Sequence, residues 1–265
     1  MNAMSSETVL ITGASSGIGL ELAKCFAADG SRLVLVARNT VALEALANKL
    51  RRARGVEVIV VTADLSLPET PRRIFQELSD RKVSVDVLVN NAGFGAIGAF
   101  DQLPLERQLE ILRVNISALT DLTGRFLSGM IQRRRGGVLN VGSVAGFVPG
   151  PGMTIYYATK AFVLSFTEGL AGELAETDVT VTVLCPGPTA TNFGNVAGAQ
   201  NARLFRQPGM SAKAVAEYGH RAFRKGRVIA ISGLQNQMLV LLARFAPRAL
   251  VRRMARKFNS FEPKR

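Results

Sequence analysis

A tyrosine and a lysine, Tyr156 and Lys160, stand four residues apart and downstream of Ser143. On a helix, residues at this spacing lie on one face, about one turn from each other. An ammonium roughly 4 Å from a phenol at an effective dielectric near 20 favours the phenolate by about 4 kcal/mol, or about three pKa units, and burial offsets part of this. Such a tyrosine can exchange a proton with an alcohol oxygen, which the Ser143 hydroxyl could hold by a hydrogen bond. These residues therefore predict a site for carbonyl/alcohol chemistry.

The spacing alone does not establish catalysis. Tyrosine and lysine stand four apart by chance in many helices, and Tyr157 also lies near Lys160 at the i, i+3 spacing. The assignment of Tyr156 therefore depends on the other motifs of the chain.

The composition excludes several other classes of site. The chain has 265 residues, 48% of them hydrophobic, which is enough for one large α/β domain or two small ones. His220 is the only histidine, so one chain can form neither a histidine metal cluster nor a Ser-His-Asp triad, and we expect no metal. Cys25 and Cys185 fall in a helix pattern and a strand pattern, which favours reduced cysteines in the core of an intracellular protein. The sequence shows no signal-peptide pattern and no run approaching ~20 apolar residues, so we expect a cytoplasmic protein without a spanning helix.

A glycine-rich turn near the N-terminus predicts a nucleotide site. The apolar, β-branched run 8–12 is followed by Gly13-Ala-Ser-Ser-Gly-Ile-Gly19 and then by a helical pattern through Ala28. Glycines let the backbone approach a pyrophosphate, and a helix N-terminus presents free N–H groups to it. The spacing G-x-x-x-G-x-G differs from the usual G-x-G-x-x-G, and tight packing alone is the alternative explanation. The residues expected to hold the pyrophosphate are Gly13, Ser15, Ser16, Gly17, Ile18 and Gly19.

The end of the second predicted strand, 32–37, indicates which coenzyme is bound. About 20 residues beyond the glycines, an acidic residue would bond a free ribose 2′-hydroxyl, whereas an arginine accommodates a 2′-phosphate. This position offers Arg38, followed by Asn39. We therefore expect NADP(H) to be preferred over NAD(H). The alternative is that Arg38 is solvated at the end of the strand and does not contact the coenzyme.

Strand and helix patterns alternate along the chain. This alternation predicts a single doubly wound Rossmann domain over residues 1–233, an α/β fold with a parallel sheet of about seven strands and helices on both faces. The carboxyl ends of such strands line the ligand crevice, where Asp64 and the turn Asn90-Asn-Ala-Gly93 are placed. The other predicted strands are 57–62, 86–90, 138–141, 179–185 and 227–231, and the other helices are 40–54, 68–80, two within 103–135, one carrying Tyr156 to about 176, and one from about 211.

In order and spacing, these motifs resemble those of the short-chain dehydrogenase/reductase family over about residues 7 to 233. The matching segments are Thr12-Gly-Ala-Ser-Ser-Gly-Ile-Gly19, Asp64, Asn90-Asn-Ala-Gly93, Asn115, Ser143, Tyr156-Tyr-Ala-Thr-Lys160 and Pro186-Gly187. The family pattern Y-x-[AS]-[ST]-K aligns on Tyr156 and leaves Tyr157 as a neighbour. The resemblance implies further coenzyme contacts at Asp64, Leu65, Asn91, Ala92, Gly93, Tyr156, Lys160, Pro186, Gly187 and Thr189.

The resemblance also implies a division of roles in the reaction. Tyr156 would be the general acid in reduction and the base in oxidation, and Ser143 would polarise the carbonyl. Lys160 would lower the pKa of the tyrosine and bind the nicotinamide ribose, and Asn115 would hold a water that connects Lys160 to solvent. Thr189 would contact the nicotinamide carboxamide. The family expectation for the assembly is a homodimer or homotetramer.

Substrate choice is expected to reside in two segments, the loop 146–153 and the segment 192–210, which we interpret as a mobile flap. Their apolar side chains predict a pocket for a hydrophobic ketone or acyl chain rather than a sugar. Those side chains are Phe147, Val148, Met153, Phe193 and Phe205.

The end of the chain carries the net charge. Residues 203–265 hold 15 basic and two acidic residues, a balance of +13 that equals the net charge of the whole chain. A pattern split by Pro247 predicts a helical extension over 234–265 that is basic and amphipathic in its second half. Such a helix could lie on the anionic inner face of a membrane, cover the substrate pocket or form a subunit interface. We expect no nucleic acid as a partner, because the basic segment lacks interleaved stacking aromatics.

Two functions remain open at this point. The first is an NADP(H)-dependent reductase of a hydrophobic ketone or ketoacyl compound, since the tail is similar to that of a family branch that includes ketosteroid and 3-ketoacyl reductases. The second is an NADP(H)-binding regulatory or membrane-associated module in which catalysis is incidental.

Overall fold

The central element of the fold is a parallel sheet of seven strands. The structure, a computed structural model, describes residues 7–198 and 209–259. The strands of the sheet are β1 (Thr8–Thr12), β2 (Arg32–Ala37), β3 (Val58–Thr62), β4 (Val87–Asn90), β5 (Gly136–Val141), β6 (Val179–Cys185) and β9 (Ile229–Ile231). Two short strands, β7 (Thr189–Ala190) and β8 (Met210–Ser211), pair with each other outside this sheet.

Helices cover both faces of the sheet. They are α1 (Gly17–Ala28), α2 (Thr40–Arg54), α3 (Thr70–Asp80), α4 (Leu105–Leu112), α5 (Leu119–Gln132), α6 (Thr154–Glu173), α7 (Phe193–Val196), α8 (Ala212–Arg224), α9 (Leu234–Phe245) and α10 (Arg248–Phe258). The core on one face is formed with α1, α2 and α8, through side chains such as Leu22, Leu43 and Val215. The core on the other face is formed with α3 to α6, through side chains such as Ile74 and Leu122.

The strand order is β3-β2-β1-β4-β5-β6-β9, and all pairings within the sheet are parallel. Because helices bury both faces, the strands are continuous apolar runs, and every residue of β1 is buried. The order reverses between β1 and β4, which opens a crevice at the carboxyl ends of these strands. The predicted doubly wound α/β Rossmann fold is therefore confirmed.

The helical region before β5 differs from its prediction. The pattern over 103–135 predicts two consecutive helices, whereas α4 and α5 are joined without a break by a π-helical turn over Arg113–Ala118. A π turn places one extra residue in the helix and occurs frequently at functional sites. Here it contains the buried Asn115.

The predicted flap is only partly described. Its first residues form α7, and residues 199–208 lie outside the described part of the chain. After β9, the tail forms α9 and α10 in succession, in agreement with the predicted helical extension. Among the residues that the structure describes, no helix is both long and apolar enough to cross a bilayer.

Asp86 ties together the amino ends of the central strands. Its buried carboxylate accepts a hydrogen bond from the backbone N of Thr8 at 3.0 Å and forms an ion pair with Arg135 at 2.9 Å. Its backbone N donates to the carbonyl oxygen of Thr8, and its carbonyl oxygen accepts from the backbone N of Gly137, both at 2.9 Å. One residue therefore fixes β1, β4 and β5 relative to one another.

Replacing this carboxylate is expected to destabilise the fold. Asp86→Ala should lower the free energy of unfolding by about 3 kcal/mol, because the buried N–H of Thr8 and the arginine lose their acceptor. Asp178→Ala is the matched control, since it removes an exposed carboxylate that pairs with Arg134 at 3.0 Å. The control should lose less than about 1 kcal/mol. Urea unfolding of both variants measures the difference, and equal losses would contradict the role of Asp86.

Candidate active site

A large cleft runs along the carboxyl edge of the sheet, with a volume of about 2010 Å³. The predicted coenzyme contacts line it, with the exception of Gly19. They are Gly13, Ser15, Ser16, Gly17, Ile18, Arg38, Asn39, Asp64, Leu65, Asn91, Ala92, Gly93, Tyr156, Lys160, Pro186, Gly187 and Thr189. Residues that are far apart in the sequence therefore share one cleft, because parallel strands bring their carboxyl ends to one edge.

The glycine turn after β1 has a backbone conformation and a close packing that favour glycine. Gly13 and Gly17 have φ values of +65° and +56°, in the left-handed region that favours glycine. A Cβ on Gly13 would lie 2.8 Å from Nδ2 of Asn91. A Cβ on Gly19 would lie 2.4 Å from the carbonyl oxygen of Gly13, so Gly19 serves the close packing of α1 against the turn and does not line the cleft.

Asn91 and Thr12 hold this turn in place. Nδ2 of Asn91 donates to the carbonyl oxygens of Thr12 and Gly13, at 2.8 and 3.1 Å. The Thr12 hydroxyl accepts from the backbone N of Asn91 at 3.0 Å. Within the described residues, the N-cap residue Ser16 makes no side-chain bond to α1. The uncapped helix N-terminus therefore offers N–H groups and a positive dipole end to an anionic group, which fits a pyrophosphate.

Arg38 and Asp64 lie at the part of the cleft next to β2 and β3. Partial burial alone would raise the pKa of Asp64, but hydrogen bonds from the backbone N and hydroxyl of Ser66, together with the charge of Arg38, hold that pKa below its usual value. The exposed guanidinium of Arg38 also lies 3.9 Å from the Glu110 carboxylate. The Asn39 side chain caps α2 through a 3.0 Å hydrogen bond. This end of the cleft thus presents an arginine beside an ionised carboxylate.

The predicted catalytic side chains meet where β5 ends and α6 begins. The Tyr156 phenol and the Ser143 hydroxyl both line the cleft, and their interaction lowers the pKa of the phenol. The Ser143 hydroxyl also accepts from the backbone N of Ala145 at 3.1 Å and donates to the carbonyl oxygen of Pro186 at 3.4 Å. Nζ of Lys160 lies 5.8 Å from the centre of the Tyr156 ring. The fold therefore assembles the serine, tyrosine and lysine that their spacing in the sequence singles out.

Lys160 is almost completely buried, with 6% of its surface exposed. Its Nζ donates to the carbonyl oxygen of Val141, the last residue of β5, at 2.7 Å. Desolvation lowers the pKa of this ammonium to about 8. A Cβ on Gly93 would lie 3.5 Å from Nζ, so the glycine keeps the space beside the ammonium open.

The pKa of Tyr156 differs from the sequence expectation. Desolvation raises the pKa of the phenol well above its usual value, and the interaction with Ser143 offsets only part of that increase. Lys160 does not reverse this upward shift of the Tyr156 pKa, although its charge is expected to lower that pKa. The Lys160 ammonium is itself buried and donates to a backbone carbonyl. The protein's own groups therefore keep the proton on the phenol.

Asn115 is buried and, unlike Ser143, Tyr156 and Lys160, does not line the cleft. Its Nδ2 donates to the carbonyl oxygen of Phe94 and to the hydroxyl of Thr159, both at 3.0 Å. Its Oδ1 accepts from the backbone N of Phe94 at 3.1 Å. The side chain thus ties the π turn to α6 and to the segment after β4, and its role in holding a water stays a prediction.

Part of the predicted substrate pocket is present. The side chains that line the cleft as predicted are Val148, Met153 and Phe193. Phe147 does not line the cleft: its ring ends the 3₁₀ turn Val144–Phe147 and packs, partly buried, against the core cluster between α6 and β6, and its contact with a substrate stays a prediction. Phe205 lies outside the described residues.

The tail supplies a wall of the cleft. Apolar side chains of both tail helices line it, and they are Leu234, Met238, Leu239, Leu242, Val251 and Met254. The tail therefore lies along the cleft, and its role as a cover of the substrate pocket stays a prediction. These helices border the same space as the predicted substrate side chains.

Sequence reasoning missed the contact that fixes the tail. Asn259, only 2% exposed, accepts a hydrogen bond from the Tyr157 hydroxyl at 3.1 Å and donates to the carbonyl oxygen of Pro151 at 3.0 Å. The end of α10 is thereby joined to α6 and to the loop 146–153. The partners are about a hundred residues apart, and no local pattern signals their contact.

Comparisons with known proteins give a consistent result. The short chain dehydrogenase family matches residues 7–202. A putative ketoacyl reductase from Streptomyces coelicolor is 37% identical over 190 residues, which cover 71% of this chain and 72% of the relative. A solved short-chain dehydrogenase from Sphingobium yanoikuyae in complex with NADPH is 35% identical, with a TM-score of 0.80 and coverage of 92% and 97% of the two chains. The bulky-bulky ketone specific alcohol dehydrogenase from Comamonas testosteroni is 33% identical, with a TM-score of 0.76 and coverage of 90% and 92%.

The burial of Lys160 should make stability depend on pH. Its pKa is about 8 in the fold and 10.5 in an ordinary lysine, so below pH 8 the fold bears the cost of a buried ammonium. As the pH rises from 8 towards 10.5, the unfolded chain binds more protons than the folded chain, and this cost disappears. At 1.36 kcal/mol per pKa unit, the free energy of unfolding relative to Lys160→Met should rise by about 2–3 kcal/mol between about pH 7 and pH 10. Denaturant unfolding of both proteins without coenzyme measures this, and a difference that does not change with pH would refute it.

Proposed function

The chain belongs to the short-chain dehydrogenase/reductase family of NAD(P)(H)-dependent oxidoreductases, and we propose that it reduces hydrophobic ketones or ketoacyl compounds to secondary alcohols, with Tyr156 as the proton donor. The observation that carries the proposal is that Ser143, Tyr156 and Lys160 line one cleft, with Nζ of Lys160 5.8 Å from the centre of the Tyr156 ring, and that this cleft combines the glycine turn with apolar side chains. A proton donor and a partner for the carbonyl oxygen would thereby act at one place.

The residues along the cleft fit a nicotinamide coenzyme, which supplies the hydride when it is bound. The turn from Gly13 and the N-terminus of α1 would hold the pyrophosphate. Lys160 would bind the nicotinamide ribose, and Thr189 would contact the carboxamide. The remaining predicted contacts line the cleft between these points.

Ser143 and Tyr156 would act on the carbonyl oxygen. The serine hydroxyl would hold that oxygen, and the phenol would donate its proton as negative charge develops there. The phenol of Tyr156 is protonated at neutral pH, as a proton donor in the reductive direction must be, although desolvation raises its pKa and makes it a weaker acid than an exposed tyrosine. Lys160, with a water held by Asn115, would return a proton to the phenol from solvent.

Arg38 supports a preference for NADP(H) over NAD(H). Its exposed guanidinium lines the cleft just beyond the end of β2, where a ribose 2′-phosphate would be expected. Bidentate, charge-assisted hydrogen bonds from arginine suit a phosphate.

The lining of the cleft supports a hydrophobic substrate. Next to the proposed proton donor, the Phe193 ring lies 5.1 Å from the Tyr156 ring, and Met153 is buried behind them. Val148 and the apolar side chains of α9 and α10 continue this surface. Such a wall offers few hydrogen-bonding groups for the hydroxyls of a sugar, whereas it matches a bulky ketone or an acyl chain.

In this proposal, residues 1–233 form the catalytic unit and 234–265 form an extension that closes the substrate pocket. The proposed assembly is a homodimer or homotetramer in the cytoplasm. Gel filtration with light scattering would test the assembly independently of the reaction.

The reaction is tested with a panel of substrates and two tyrosine variants. NADPH oxidation should be followed with apolar ketones, 3-ketoacyl thioesters, quinones and sugars. Tyr156→Phe should lower kcat/KM by about 100-fold or more, because the proton donor is lost. Tyr157→Phe is the matched control, because the Tyr157 hydroxyl donates a hydrogen bond to Asn259. This substitution should change kcat by less than about tenfold. Equal activity of the Tyr156→Phe protein and the wild type would overturn the proposal.

The coenzyme preference is tested at one position. Arg38→Asp should lower the ratio of NADPH to NADH affinity by about tenfold or more, because a charge-assisted contact becomes a repulsive one. Arg52→Asp, on the exposed side of α2, is the control for the change in net charge. Fluorescence titration with both coenzymes measures the ratio, and an unchanged ratio in the Arg38→Asp protein would refute the role of Arg38.

A further inference from the structure

The first tail helix, α9, exposes a row of large apolar side chains. Leu234, Met238, Leu241 and Phe245 repeat at intervals of four, three and four residues, which places them on one side of the helix. Their exposed fractions are 78%, 54%, 50% and 79%. We name these four residues the outer stripe. Its first two members also lie at the rim of the cleft, whereas Leu241 and Phe245 do not line the cleft.

The second tail helix, α10, adds exposed apolar side chains beside a dense set of cations. Leu250 and Met254, one turn apart, are about half exposed. From residue 234 to 259 the sequence contains no acidic residue. Its basic residues are Arg244, Arg248, Arg252, Arg253, Arg256 and Lys257.

This combination favours one kind of partner. Acidic phospholipids attract a row of cations, and the acyl region accepts the apolar side chains that lie beside them. Long arginine side chains can keep their charges among the head groups while apolar neighbours enter the bilayer. A second copy of the chain fits less well, because a two-fold contact would bring the same cationic helix against itself without a compensating acid.

We propose that α9 and α10 form a docking surface for a membrane that contains acidic phospholipids. Leu241 and Phe245 of the outer stripe enter the interface together with the side chain of Leu250, and the arginines of α10 bind the lipid phosphates. The contact is peripheral, because no helix among the described residues is long and apolar enough to span the bilayer. The cleft rim formed by Leu234 and Met238 then faces the membrane surface.

Vesicle co-sedimentation of the full chain tests this surface without any substrate or coenzyme. The vesicles are made of phosphatidylcholine alone or of phosphatidylcholine with phosphatidylglycerol. The wild type should bind the anionic vesicles at least about tenfold more tightly than the neutral ones. Leu241→Ser with Phe245→Ser should weaken this binding about tenfold or more, because the apolar contribution is lost.

Charge reversal and a matched apolar control complete the experiment. Arg252→Glu with Arg253→Glu should weaken anionic binding by more than about tenfold. Val41→Ser with Leu105→Ser removes equally exposed apolar side chains outside the tail and should leave binding unchanged. All variants change exposed positions, and thermal unfolding should confirm that they fold as the wild type does.

Three outcomes would overturn the proposal. The first is equal sedimentation of the wild type with and without vesicles. The second is anionic binding that survives the loss of Leu241 and Phe245, since the surface would then be a general polyanion site. The third is a wild-type protein that does not bind vesicles and that is a dimer in gel filtration, when the Leu241→Ser, Phe245→Ser protein is a monomer. The apolar surface would then be a contact between two copies of the chain. None of these outcomes would contradict the proposed reaction, because the experiment measures vesicle binding and assembly and does not measure turnover.

Discussion

The arrangement of the cleft depends on the close approach of α6 to the end of β5, where the Lys160 ammonium is buried. A buried cation needs an acceptor, and the carbonyl oxygen of Val141 supplies one at 2.7 Å. This contact requires α6 to approach the strand end closely. A Cβ on Gly146 would lie 2.6 Å from the carbonyl oxygen of Lys160, so the turn after β5 can pass the helix only with glycine there. The position of Tyr156, one turn earlier on α6, follows from the same close approach.

A chain of buried amides and hydroxyls holds α6 and α5 against the sheet. Nδ2 of Asn90 in β4 donates to Oδ1 of Asn140 in β5 at 3.0 Å and to the hydroxyl of Thr123 in α5 at 3.1 Å. Nδ2 of Asn140 donates to the hydroxyl of Thr167 in α6 at 3.0 Å. Each buried hydrogen bond has a defined geometry, so the set fixes the helix positions more strictly than apolar contact alone would. The proposed catalytic side chains are thereby held at a fixed place at the strand ends.

The tail is attached in a different way. No residue of α9 is buried, and the contacts of Asn259 fix the end of α10 to the loop 146–153 and to Tyr157. Few buried contacts allow a segment to move at a low cost in free energy. The same two helices line the cleft and expose apolar side chains outside it, so the substrate wall and the proposed membrane surface are two sides of one element.

Local spacing in the sequence is enough to predict the alternation of strands and helices, the glycine turn, and the tyrosine and lysine one helical turn apart. The rule that the carboxyl ends of parallel strands meet at one edge also places Asp64, Asn91, Ala92 and Gly93 at the cleft, whereas contacts such as Thr189 follow from the family resemblance. The three-dimensional arrangement was needed to show that Phe147 packs against the core, that Asn115 lies in a π turn and that Asn259 reaches Tyr157. It likewise decided the direction of the pKa shift of Tyr156. The physical reason is that desolvation and long-range contacts depend on the atoms that surround a side chain in space, which its neighbours in the sequence do not specify.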